Sequence, residues 1–192
     1  MDAQAVLDFW FLPPGAAGHG KQRSEWFRKD QAFDATIGTR FGAMIDQALT
    51  GGLREWDEQG ARGVLARILV LDQFTRNAYR NTPQSFAGDA LALAAAQQLV
   101  ETGADRALSP LRRAFVYMPF EHAEDARMQE RAVDLFTELA AQHEGFGEAL
   151  DYAHRHRGVI ARFGRFPHRN PILGRASTPE ELDYLSQPGA GF

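Results

Sequence analysis

Asp72 and Arg76 stand four residues apart within the largely apolar stretch 64–79, and Asn77, Tyr79 and Arg80 follow directly. At about 100° per residue, Leu65, Leu69, Asp72, Arg76 and Tyr79 fall on one stripe of a helix. Val64, Ile68 and Leu71 flank that stripe, while Val70 and Phe74 cover the opposite face. A helix apolar on nearly every side belongs in a core. Charges on its buried stripe then need partners, because an uncompensated buried charge is strongly destabilising.

Two later segments carry complementary groups. Pro119 is expected to open a long helix to about 142, with an apolar stripe of Met128, Ala132, Leu135, Phe136 and Leu139. Extended backwards, that stripe takes in Glu121 and Asp125, with His122 and Glu124 on its shoulders. Residues 164–171 carry Arg165, His168, Arg169 and Asn170 around Pro167 and Pro171, which predicts an ordered loop, not a helix. In a helix over 146–163, His154 and Arg157 share the face of Phe146, Leu150, Ala153 and Ala161, expected to point inward.

The expectation is that Asp72, Arg76, Asn77, Tyr79, Arg80, Glu121, His122, Glu124, His154, Arg165, His168, Arg169 and Asn170 converge on one region. Arginine offers planar paired donors suited to carboxylate or phosphate, and Asn and His fix orientation. Walls of Phe74, Tyr79, Phe120 and Phe166 would complete a small-molecule pocket. Three readings stay open: a network that only holds the fold, a site for a small anionic molecule, or catalysis. In the last, Glu121 or His168 would do general acid–base work while Arg76 and Arg169 hold an anionic substrate.

Other chemistries find less. No metal site is expected, because no Glu-x-x-His or His-x-x-x-His pair is placed to chelate from one helix face, and His154 and His156 point apart. The serines lie at helix starts or in loops, where capping accounts for them, and no Gly-x-Ser-x-Gly elbow occurs. Gly20-Lys21 lacks the upstream strand and following Ser/Thr of a phosphate loop. No cofactor is expected.

Composition narrows the class. A length of 192 residues with 44% hydrophobic residues suits one globular domain spanning 1–192. A net charge of −4, from 21 basic and 25 acidic residues, gives no reason to expect nucleic acid or an anionic membrane as partner. Cysteine is absent, which removes disulfides, thiolate ligands and cysteine nucleophiles. With neither a signal-peptide pattern nor a long apolar run, a soluble, cytoplasmic protein is expected.

The elements that must position the polar groups read as helices throughout. Residues 3–11 form a short amphipathic helix, and 12–21 a Pro/Gly loop. Residues 31–50 keep a helical rhythm in Phe33, Ile37, Phe41, Met44, Ile45 and Ala48, with Asp30 as cap and Gly51-Gly52 as stop. Trp56 lies on a short connection before the central helix at 61–79. Thr82-Pro83, Ser109-Pro110 and Thr178-Pro179-Glu180-Glu181 are helix starts, and the alanine-rich stretch 89–102 suits close packing. Phe192 is expected to pin the tail. No stretch alternates convincingly enough for a strand, so the class is all-α, a bundle of roughly seven to nine helices.

Four stretches then carry a resemblance: Leu71-Asp-Gln-Phe-Thr-Arg-Asn-Ala-Tyr-Arg80, Tyr117-Met-Pro-Phe-Glu-His-Ala-Glu124, Arg162-Phe-Gly-Arg-Phe-Pro-His-Arg-Asn170 and Leu173-Gly-Arg-Ala-Ser-Thr-Pro-Glu-Glu181. They resemble the bacterial family catalogued as domain of unknown function 924, over nearly the whole chain. The resemblance implies an all-helical superhelical fold similar to tetratricopeptide-repeat proteins, without their repeat consensus, and no established activity. Thr75, Asn81 and Ala123 stand where that family usually has Pro, Gly and Ser. A rival function starts from the aromatics. Trp10, Trp26, Phe27 and Trp56 are partly accounted for by core packing, but a fold of that kind commonly presents a concave groove to a peptide or protein partner, with the polar cluster then purely structural.

Overall fold

Four side chains start helices as unpaired helical amides demand. Asp2 accepts from the Ala5 amide, Asp30 from Ala32 and Phe33, Asp125 from Arg127 and Met128, and Thr178 from Glu181. In the computed structural model, which describes residues 2–191, the helices are α1 (Ala3–Phe11), α2 (Gln31–Leu49), α3 (Ala61–Ile68) and α4 (Thr75–Ala78). They continue with α5 (Asp89–Glu101), α6 (Pro110–His122), α7 (Ala126–Gln142), α8 (Gly147–Phe163), α9 (Asn170–Leu173) and α10 (Pro179–Leu185). Among the described residues there is no strand, and no helix is long and apolar enough to cross a membrane.

The described chain forms two compact units: Met1–Arg80 with Gln84–Pro119, and Asn81–Pro83 with Phe120–Phe192. In the first, a wide π-helical turn over Leu69–Phe74 joins α3 to α4, so the expected 61–79 helix is continuous but bulged. Helix α3 packs on α1 and α5, while the wide turn and α4 pack on α2. Cover on several sides explains why Leu65, Leu69, Val70 and Phe74 all tolerate burial around the helix. Phe74 joins an aromatic cluster with Phe9, Trp10 and Phe41, and Trp10 stacks on Trp26 at 5.7 Å. Trp10, Trp26 and Trp56 are thus core residues, as core packing would have them, and of these four aromatics Phe27 alone is well exposed.

In the second unit α7 packs along α8 through Ala132, Leu135, Phe136 and Leu139 on one side and Ala153 on the other. Val159, Ile160 and Phe166 form a further core with Phe163 and Tyr184 against it. The turn at Pro167–Arg169 meets α9 and α10.

Three expectations change here. Pro119 does not open the long helix: it lies inside α6, the chain breaks at 123–125, and Asp125 caps α7 instead of continuing its stripe. The inward face of α8 is Ala153, His156, Val159 and Ile160, so His154 and Ala161 are exposed. Two adjacent large apolar residues outweigh single alanines in choosing the face. The segment 164–171 is more helical than expected, because Pro167 begins a tight turn and Pro171 sits in the first turn of α9, where a missing N–H costs nothing. The role expected of Phe192 lies outside the described residues.

Close packing at the wide turn is testable. A Cβ on Gly88 would stand 2.1 Å from the Leu71 carbonyl oxygen, whereas one on Gly38, within α2, meets nothing. Gly88→Ala is therefore expected to lose roughly 1–3 kcal/mol in urea unfolding, and Gly38→Ala to gain roughly 0.5–1 kcal/mol.

Candidate functional site

The polar residues of the central helix all find partners within the first unit. Asp72, with no exposed surface, pairs with Arg76 at 3.0 Å, and the Gln73 side-chain amide donates to it at 2.6 Å. Arg76 also grips Asp89 with both terminal nitrogens, at 2.9 and 3.1 Å, and donates to the Asp72 carbonyl. Burial alone would lower the pKa of Arg76, but the charges of Asp72 and Asp89 raise it. The Thr75 hydroxyl donates to the Leu71 carbonyl at 2.9 Å, inside the helix that the wide turn opens.

One turn on, Arg80 clasps Asp34 of α2 through Nε and a terminal nitrogen, and Asn77 donates to the same carboxylate at 2.7 Å. Burial would raise Asp34, yet Arg80 and Asn77 hold its carboxyl below the usual range. The Tyr79 hydroxyl donates to Asp46. Asn81 then turns the chain at φ +64°, a conformation Asn tolerates better than most residues.

Within the second unit two closures hold the 164–175 segment. Arg165 takes Glu181 in a bidentate pair at 2.7 and 2.8 Å, and Asn170 donates to the same carboxylate. The Arg165 hydrogen bond is the main cause that brings Glu181 down to about 2, and the Thr178 amide adds to it. Arg175 takes Glu124 at 2.6 and 2.9 Å, while the Phe166 amide donates to Glu124 as well. Burial raises Glu124; the Arg175 hydrogen bond and the Phe166 amide more than offset this and keep it low. Gln129, fully buried, donates to the carbonyls of Glu121 and Ala123 and so ties down the end of α6.

Arg169, His156 and His168 gather on the Phe166 ring. The Arg169 guanidinium lies 4.6 Å above it, and the rings of His156 and His168 stand 5.5 and 5.7 Å away. His122 is 6.2 Å from His156, and its carbonyl accepts from Arg169 at 3.0 Å. His156 Nδ1 is 2.8 Å from Glu121 and 2.9 Å from the Tyr152 carbonyl. Both neighbours are acceptors, so Nδ1 carries the proton and Glu121 orients the ring. Burial lowers His168 to about 4, with Arg169 and His156 adding repulsion.

So Glu121, His122, Glu124, Arg165, His168, Arg169 and Asn170 share one unit, and His154 is exposed while His156 takes the inward place. Asp34, Asp89, His156, Arg175 and Glu181 were missed as partners. His156 had a signal, since it lies four residues before Ile160 on the face that α8 buries. Among the described residues no group of three or more His, Asp or Glu is placed to hold a metal ion.

The comparisons agree with this architecture. The model of a bacterial protein family of unknown function, DUF924, matches residues 6–189. The chain is also similar to a solved structure, the protein of unknown function ATU0120 from Agrobacterium tumefaciens, at 41% identity over 97% of each chain, with a TM-score of 0.83. No curated protein matches.

His168 gives the site a pH signature. Its folded pKa of about 4 lies below the ordinary 6.5, so the unfolded chain binds the proton more tightly. Stability is full above about 6.5 and is lost as pH falls towards about 4. Glu181 adds a later loss, as pH falls from its ordinary 4.5 towards about 2. Melting temperatures measured from pH 7 to pH 4.5 are expected to decline in the wild type and to decline less in His168→Asn.

Proposed function

We propose, from the premise that the chain belongs to the bacterial DUF924 family, that it binds a small anionic molecule through Arg169 and the imidazoles around Phe166. The supporting observation is the gathering of one guanidinium and two imidazoles, those of His156 and His168, at the Phe166 ring of the second unit, with the His122 ring 6.2 Å from that of His156. Burial is the main cause that holds His168 low, and the repulsion from Arg169 that adds to it is the part that favours a negative guest. Of the nearby carboxylates, Glu124 pairs with Arg175, and Glu121 pairs with His156 of the cluster itself.

This reading narrows the ligand set. Asp72, Arg76, Asn77, Tyr79 and Arg80 serve the first unit's own ion pairs and hydrogen bonds, and Arg165 and Asn170 hold the 164–175 segment. Acid–base catalysis by His168 has little to recommend it, because an imidazole near 4 is a weak base at neutral pH.

A thermal-shift panel of phosphate, sulfate, phosphorylated metabolites and di- and tricarboxylates tests the proposal. A bound anion at about a hundred times its dissociation constant adds about 2.7 kcal/mol. In a chain of this size, that is expected to raise the melting temperature by roughly 5–10 °C. The shift should vanish in Arg169→Gln and shrink in His122→Asn, the second variant guarding against a misfolded first. No shift with any anion, or an equal shift in folded variants, would overturn the proposal.

A further inference from the structure

The first unit holds a groove of about 720 Å³, open to solvent, between α1 and the N-terminal half of α2. Its floor is the stacked pair Phe9 and Phe33, centroids 5.2 Å apart and 11° from parallel. Leu12 extends the apolar surface at the end of α1. Most charged groups on the rim are committed. Arg23 donates to the Phe9 and Trp10 carbonyls, where it satisfies the end of α1, and pairs with Glu25. Asp30 caps α2, and Asp8 accepts from Gln4.

Arg40 is different. Its guanidinium lies 5.1 Å from the ring centres of both Phe9 and Phe41, and among the described residues it meets no carboxylate. Held between two aromatic rings, it has N–H donors that the rings do not satisfy as a carboxylate would. A bidentate partner for such a fork is a carboxylate.

We propose that this groove is a second binding site, independent of the Arg169 cluster, and that it takes a small aromatic monocarboxylate. The ligand's ring packs against the edges that Phe9 and Phe33 present to the groove beside Leu12, and its carboxylate closes on Arg40. The volume suits one small molecule. Asp8, Glu25 and Asp30 on the rim repel multiply charged anions such as phosphates, so one negative charge and one ring is the chemistry the walls select.

The test uses the full chain, with 3-phenylpropionate as probe and 3-phenylpropanamide as its neutral counterpart. Calorimetry and amide chemical-shift mapping follow both ligands in wild type and in Arg40→Gln. Arg40 is exposed and caps nothing, so that variant should keep the wild-type melting temperature. Saturable binding with a dissociation constant below about 1 mM is expected, with shifts confined to residues 5–12 and 23–40. The amide, and the Arg40→Gln variant, should each bind at least about tenfold more weakly. Inorganic phosphate should leave these residues unshifted. Absence of saturation up to about 10 mM overturns the proposal; so does equal binding in Arg40→Gln, or shifts that map only to residues 120–170.

Discussion

A carboxylate with no exposed surface sits in the middle of the first unit's central helix, and much of that unit is arranged around it. Asp72 is tolerable there because Arg76, one turn later, reaches back to it and onward to Asp89. Asp89 in turn fixes the start of α5, where Gly88 rests against the Leu71 carbonyl. The wide turn at Leu69–Phe74 is thus bounded by an ion-pair triad on one side and a glycine contact on another. Arg80 and Asn77 repeat the device on α2 through Asp34.

The second unit solves a similar problem by different means. Its polar segment is short of apolar residues, yet it is well ordered by pairs of carboxylates that each take several donors. Glu124 accepts from Arg175 and the Phe166 amide, and Glu181 from Arg165, Asn170 and the Thr178 amide. Beside these pairs, Arg169, His156 and His168 gather on the Phe166 ring.

Helices were legible wherever an apolar rhythm and a cap coincided, as in α2 with Asp30 or α10 with Thr178. Helical class, the central helix and the burial of Asp72 all follow from spacing; its partner does not, since Arg76 on the same helix takes the place expected of the later segments. Pro119 misled because a proline marks a helix start only if the preceding residues cannot already be helical, and Tyr117 and Met118 are. His154 falls outside the buried face of α8 because Val159 and Ile160 set that face beyond Ala153, and a lone Ala161 carries little weight beside them. The partners Asp34, Asp89 and Arg175 were beyond reach, since long-range pairing leaves no periodic trace. The wide turn was equally silent, as its residues satisfy both helical and π-helical patterns.

The central claim is that charges on the buried helix exist to neutralise one another. A double-mutant cycle on Asp72→Asn and Arg76→Met, read by urea unfolding at pH 7, tests it most directly. Arg76→Met strands two carboxylates, so it should cost more alone than in the company of Asp72→Asn. The double variant is expected to be more stable than the sum of single effects by at least about 1 kcal/mol. Effects that add within about 0.5 kcal/mol would contradict the account.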